Sequence, residues 1–179
     1  ISIDAPVSDV WPEYAQNGKQ KTTLRHFLTH QAGMPAIRKC LSDETLYDWQ
    51  GLVSSLANQS PYWKPGSQHG YHTNTFGLLV GEFVHQISGL SIGQYLQKYI
   101  AGPLDAEVYF GLNDENLLRS AELDWPEEKN ILASFKENNL QKLDTDAQMR
   151  LHAYSNPLGI SSIGVLNSAH WRQAELPSA

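Results

Sequence analysis

Trp63-Lys64-Pro65-Gly66-Ser67-Gln68-His69-Gly70-Tyr71-His72-Thr73 closes a segment, Gln59 to Tyr71, that is rich in Pro, Gly and Ser and reads as a loop. The longest helix that the sequence predicts follows it directly, from about Asn74 to Ser88. Phe76, Leu79, Val80, Phe83 and Ile87 recur there at helical spacing, and Gly89 supplies the stop. The stretch therefore delivers a tyrosine, flanked by small and polar residues, to the head of a helix. Such a tyrosine is either a packing residue with a satisfied hydroxyl or a proton shuttle. The second role needs its pKa of about 10 lowered by nearby cations. Position alone favours the packing reading.

Outward from this loop the chain reads as helix after helix. Thr22 or Thr23 starts a helix to His30, with Leu24, Phe27 and Leu28 on one face, and Gly33 and Pro35 stop it. A second is predicted from Asp43 to Asn58, its stripe being Leu46, Trp49, Leu52, Val53 and Leu56. Ser91 and Gln94 form a capping box for a helix to about Ala101. Val108 to Leu112 suits a short strand. Helices are expected again from Asp124 to Asn138, where Pro126 takes the first position, and from Asp144 to Tyr154. Ser155 to Asn167 reads as loop, and Ala169 to Glu175 as a last helical turn. The first twenty residues, broken by Pro6, Pro12 and Asn17-Gly18, read as a lead-in loop outside the core. No internal repeat is found, and the chain as given is mainly α.

The chain's 179 residues and 20.0 kDa suit one domain, and a chain of that size buries roughly 70% of its unfolded surface. Lys plus Arg number 13 against 19 Asp plus Glu, a net charge of −6 that argues against nucleic acid as a partner. With 41% hydrophobic and 18% charged residues, disorder is not expected. Cys40 is the single cysteine, so no internal disulfide forms. No apolar run approaches the roughly 20 residues of a membrane span. The chain opens at Ile1 and not at methionine, so it reads as a processed protein or part of a longer one.

Other constellations carry less. His26 and His30 share a helical face, and His69 and His72 lie together in the loop. Four imidazoles suit zinc in principle, but nothing in the sequence brings the two pairs together, and helical histidine pairs are more often capping or packing groups. No metal and no cofactor is expected. Gly77 and Gly81 share a face of the long helix and predict close approach of another backbone, since each glycine costs about 1 kcal/mol against alanine. Asp114 and Glu115, and Asp124 with Glu127 and Glu128, stand at helix starts, where they complement the helix dipole.

The order of motifs resembles the serine β-lactamase-related family, which includes class C β-lactamases, D-alanyl-D-alanine peptidases and esterases of the same fold. Leu24 to Pro35, ending in Leu28-Thr29-His30-Gln31-Ala32-Gly33-Met34-Pro35, resembles its "L-L-T-H-x-S/A-G-L-P" stretch. Trp63, Pro65-Gly66 and Tyr71 match its "W/F-x-P-G-x-x-x-x-Y" loop in spacing. Phe76 to Glu82 and Ser88 to Ser91 resemble the helix and turn that follow. Ile100-Ala101-Gly102-Pro103-Leu104 resembles "I-x-x-P-L-G", with Asp105 where glycine is usual, and Asp4 to Glu13 resembles the family's lead-in. The resemblance is close from Asp4 to about Leu112 and weaker beyond.

This resemblance implies that residues 1–179 form a single partial domain. It would be the helical region of the α/β penicillin-recognising (β-lactamase/transpeptidase-like) fold with most of the sheet missing, and part of its apolar surface would lie exposed. It implies acyl transfer by a serine in Ser-x-x-Lys, with Tyr71 as general base and proton donor and with His72 and Thr73 as substrate-binding candidates. No serine in the sequence has lysine three residues later, so the nucleophile is expected upstream of Asp4. The late Lys-Thr-Gly or His-x-Gly strand is absent too. Thr73 stands where lactamases and peptidases carry the asparagine of Tyr-x-Asn, and Asn74 comes one residue late. That asparagine binds amide groups, so the reading favours carboxylic esters, with a β-lactamase or D-alanyl peptidase as alternative and a non-catalytic binding module as an alternative of another class. Tyr154-Ser155-Asn156 repeats the letters without the Pro-Gly lead or the following helix, and is read as coincidence. Oligomeric state and compartment are left open.

Overall fold

The helix α1, Leu24–Leu28, opens on Thr23, whose hydroxyl accepts the His26 amide at 3.4 Å while the His26 ring accepts the Thr23 amide at 3.1 Å. A histidine thus completes a reciprocal cap normally closed by Glu or Gln. The remaining helices of this computed structural model, which describes residues 1–124 and 144–176, are α2 (Trp49–Asn58), α3 (Phe76–Ser88), α4 (Ile92–Leu96), α5 (Asp114–Arg119), α6 (Thr145–Ser155), α7 (Ile163–Leu166) and α8 (Ala169–Gln173). No strand occurs among the described residues; Pro6 and Thr23 make an isolated bridge. The chain is the mainly α body that the sequence predicts.

The long helix α3 is the axis and packs on α1, α2 and α4. Leu78, Leu79 and Phe83 from α3 meet Leu52, Val53 and Leu56 from α2 and Phe27 from α1 in one buried cluster. Each such side chain contributes about 1.5–3 kcal/mol of burial, before the entropy of ordering it. Gly81 lies under the Trp49 indole, whose Cη2 would stand 2.7 Å from an added Cβ, so the tight packing there comes from a side chain and not from the backbone that the sequence predicts. The same indole donates to buried Glu82 at 2.7 Å, and Gln86 donates to the other carboxylate oxygen at 2.7 Å. Gly89 ends α3 at φ 70°.

The lead-in corrects expectation. Val7, Trp11 and Tyr14 are core residues; Val7 and Tyr14 lie on short 3-10 turns at Val7–Asp9 and Pro12–Tyr14, and Trp11 precedes the second. The prolines set the turns, but the apolar side chains at i, i+4 and i+7 still face Phe27, with Tyr14 edge-on to it at 5.3 Å. Lys19 is buried beside them and donates to the carbonyls of Ala57, at 2.9 Å, and Gln59 at the end of α2.

Other boundaries move for local reasons. The predicted helix Asp43 to Asn58 is divided at Asp48, whose side chain leaves the helix to cap the Gly51 amide at 3.0 Å; a 3-10 segment, Asp43–Tyr47, precedes α2. The helix from Ser91 has its capping box, with Ser91 and Gln94 reciprocally bonded, but widens after Leu96 into a π turn, Gln97–Ala101. Val108 to Leu112 is not a strand; the Leu112 amide bonds to the Arg172 carbonyl at 2.8 Å, tying the segment to α8. Asp105, where the family pattern carries glycine, sits at φ 50°, the conformation that glycine adopts freely. The helix expected from Asp144 to Tyr154 is α6, which Asp144 caps, and residues 155–167 hold a 3-10 turn and α7 within the expected loop. The helix predicted from Asp124 to Asn138 falls, beyond Asp124, outside the described residues. Leu104, Val108 and Leu118 are exposed, Leu118 by 89%, in line with the expected exposed apolar surface. No helix among the described residues is long and apolar enough to cross a membrane.

Candidate active site

The exit of α1 and the loop before α3 are laced together. The Tyr62 amide donates to the Gly33 carbonyl at 2.7 Å, Gly66 to Gln31 at 2.9 Å and Gly70 to His30 at 3.1 Å. Thr75 donates its hydroxyl to the Met34 carbonyl at 2.6 Å. Gly33, at φ 73°, has the Trp63 carbonyl where a Cβ would stand, so only glycine admits this approach. Gly70 lies against the Trp63 indole in the same way, its added Cβ 2.6 Å from the ring. Two of the motifs that carry the resemblance are thus the two halves of one structure.

Tyr71 emerges from it. The residue is 50% exposed at the head of α3, and its ring lies 4.7 Å from that of His30. His72, the next residue, points the other way and is fully buried. Its Nδ1 donates to the Gly70 carbonyl, and its bare Nε2 accepts the Met34 amide at 3.0 Å. Burial pushes its pKa down to about 4, and the neighbouring His30 and His69 add to that against the raising effect of the Gly70 carbonyl, so the neutral tautomer that both bonds require is the stable one. Both ring nitrogens face main chain, none toward the surface that Tyr71 occupies. Thr73 is half-buried at the first turn beside Tyr71. Asn74 turns away and donates to the Ala153 carbonyl of α6 at 2.7 Å, lining a small apolar cavity of about 40 Å³ with Leu78, Ile160 and Trp171.

Nothing in the sequence required the two histidine pairs to meet, and the fold brings His30 of the first pair against both members of the second. His30 lies 5.6 Å from His72 and 6.1 Å from His69, ring centre to ring centre, and its Nδ1 accepts the His72 amide at 3.2 Å. They meet as packing and hydrogen-bonding partners; among the described residues no group of three or more His, Cys, Asp or Glu is placed to hold a metal ion. His26 is engaged in the α1 cap. The sequence reading weighed His30 only as a metal ligand or a packing group and did not place it beside Tyr71. Its signal was present in Leu28-Thr29-His30, but only the fold shows that this histidine faces the tyrosine 41 positions later. Asn156, of the second Tyr-x-Asn, donates to the carbonyls of Ile37 and Lys39 and accepts the Leu41 amide, a structural knot apart from Tyr71.

Comparison with known proteins gives this geometry a context. The sequence model of the Beta-lactamase family matches residues 1–153. The esterase/beta-lactamase LipL of Mycobacterium tuberculosis is 31% identical over 107 residues, which is 60% of this chain and 24% of LipL. Among solved structures, a family VIII carboxylesterase superposes with a TM-score of 0.81 at 31% identity, over 99% of this chain and 44% of that one. A penicillin-binding protein homolog from Caulobacter crescentus superposes with a TM-score of 0.79 at 30% identity, over 100% of this chain and 44% of that one. The matched stretch is thus about a quarter of the curated relative's length, and the chain spans less than half of each of these structures.

Proposed function

The chain belongs to the beta-lactamase family, and from that premise we propose that it is the tyrosine-bearing helical part of a serine hydrolase that works through an acyl-enzyme on carboxylic esters. The nucleophilic serine comes from chain outside these residues, since no Ser-x-x-Lys occurs within them. Tyr71 takes the proton of that serine as it attacks the ester carbonyl and returns it to the departing alkoxide. The lysine that accompanies the serine supplies the positive charge that this proton transfer needs. Thr73 stands beside the acyl group of the substrate. His72 works from beneath, setting the loop through Met34 and Gly70 without touching substrate.

The observation that carries this reading is a tyrosine held half-exposed at the head of α3 by a loop whose every turn is bonded to the exit of α1. The ester preference rests on the neighbouring side chains. Thr73 occupies the place of an amide-binding asparagine, and the asparagine that follows is committed to Ala153. Tyr71→Phe in the full-length enzyme is expected to lower the turnover of a short-chain p-nitrophenyl ester by at least about a hundredfold, the scale of a lost general base, with an unchanged melting temperature. Near-normal ester turnover by that variant would remove Tyr71 from the mechanism.

A second reading is a β-lactamase or D-alanyl peptidase, favoured by the double designation of LipL and by the penicillin-binding protein homolog. Relative turnover of a chromogenic cephalosporin and of the ester separates the two.

A further inference from the structure

His30 ends α1 in the left-handed conformation, at φ 55°. Outside glycine this conformation is uncommon and costs on the order of 1 kcal/mol, although histidine is among the side chains enriched there. The strained residue does three things at once. Its carbonyl accepts the amide of Gly70 at 3.1 Å, immediately before Tyr71. Its Nδ1 accepts the amide of His72 at 3.2 Å, immediately after Tyr71. Its ring lies 4.7 Å from the Tyr71 ring and is backed by Phe76 at 4.9 Å. One residue thus brackets the tyrosine through the amides of both neighbouring residues and also forms the wall beside the phenol.

We infer that His30 is the positioning residue for Tyr71, fixing the direction in which the phenolic oxygen leaves the loop. The inference rests on the proton-transfer role proposed above for Tyr71. A histidine suits the task because one residue must supply a main-chain acceptor, a side-chain acceptor and a flat face together. The side-chain acceptor exists only while Nδ1 is unprotonated. Burial first, and then the nearby His69, hold the ring's pKa below the ordinary histidine value and so keep it neutral. Glycine at this position would relieve the backbone but leave the His72 amide without its acceptor. Alanine would keep the strain and lose both the acceptor and the wall.

The test uses the full-length enzyme with a short-chain p-nitrophenyl ester, comparing wild type, His30→Ala, His30→Asn and Tyr71→Phe. Asparagine tolerates the left-handed conformation and carries Oδ1 where histidine carries Nδ1. His30→Ala is expected to lower kcat about tenfold to hundredfold while KM stays within about twofold, the signature of a misplaced reacting group. His30→Asn is expected to recover most of that loss. Amide hydrogen exchange across residues 70–72 should quicken in His30→Ala, return toward wild type in His30→Asn and stay unchanged in Tyr71→Phe. Equal kcat in the alanine and asparagine variants, or unchanged exchange in His30→Ala, overturns the inference while an inactive Tyr71→Phe leaves the proposed function standing. An active Tyr71→Phe overturns that function, and the inference with it.

Discussion

The Met34 amide donates to Nε2 of His72 at 3.0 Å, joining two buried residues 38 positions apart at the centre of the site. That bond exists only with a neutral imidazole, and burial pushes the pKa of His72 down to about 4. The unfolded histidine titrates near 6.5, so between those values the unfolded chain binds a proton that the folded chain refuses. The contribution of His72 to stability is therefore whole above pH 6.5, is lost as pH drops toward about 4, and changes little below that. The loss is expected to approach about 3 kcal/mol, given about 1.4 kcal/mol for each pH unit between the two values. His72→Gln keeps an acceptor for Met34 but does not titrate. Its urea midpoint should depend less on pH across this window; an unaltered dependence would assign the acid sensitivity elsewhere.

Gly33 and Gly89 both adopt positive φ, 73° and 70°, yet their surroundings differ. An added Cβ at Gly89 meets nothing within 4 Å, whereas at Gly33 it meets the Trp63 carbonyl and Pro61. Gly89→Ala is expected to cost about 1 kcal/mol, the backbone penalty alone. Gly33→Ala is expected to cost at least about 3 kcal/mol, because main chain must move as well. Thermal melts of the two variants make the comparison, and equal losses would refute the tight approach of the two loops.

Lys19 places its ammonium against the carbonyls of Ala57 and Gln59, and burial lowers its pKa to about 8. Lys19→Met retains the aliphatic volume but leaves both carbonyls without that donor. A loss of about 2 kcal/mol in urea unfolding is expected. Exposed Lys21→Met should stay within about 0.5 kcal/mol of wild type.

Thr73→Asn in the full-length enzyme supplies an amide-binding side chain where the ester reading finds none. The ratio of cephalosporin turnover to ester turnover is expected to rise about tenfold, the worth of one hydrogen bond made in the transition state. An unchanged ratio would show that this position does not set the preference.

What the sequence made legible follows from how local each signal is. The cap at Thr22 or Thr23, which proves to be Thr23, the capping box at Ser91 and the stop at Gly89 depend on neighbours within four residues, and all three appear in the structure. The division at Asp48 was hidden because the apolar stripe runs on through it, while a single side chain turning back to Gly51 decides the break. Val7, Trp11 and Tyr14 were hidden for the opposite reason: the turn residues are local, but burial comes from Phe27 and α2, far along the chain. The site divides in the same way. Tyr71 stood out through its loop pattern, whereas the role of His30 depends on hydrogen bonds spanning some forty residues that no spacing rule records.

The lacing of the α1 exit to the Tyr71 loop also bears on transplantation. Residues 63–73 moved alone into a homologous scaffold would bring the tyrosine but not the groups that receive it, because Gln31, His30 and Met34 supply the bonds to Gly66, Gly70 and His72. The smallest portable unit is discontinuous, comprising residues 29–35 and 62–75 together, and a chimera should be cut outside both.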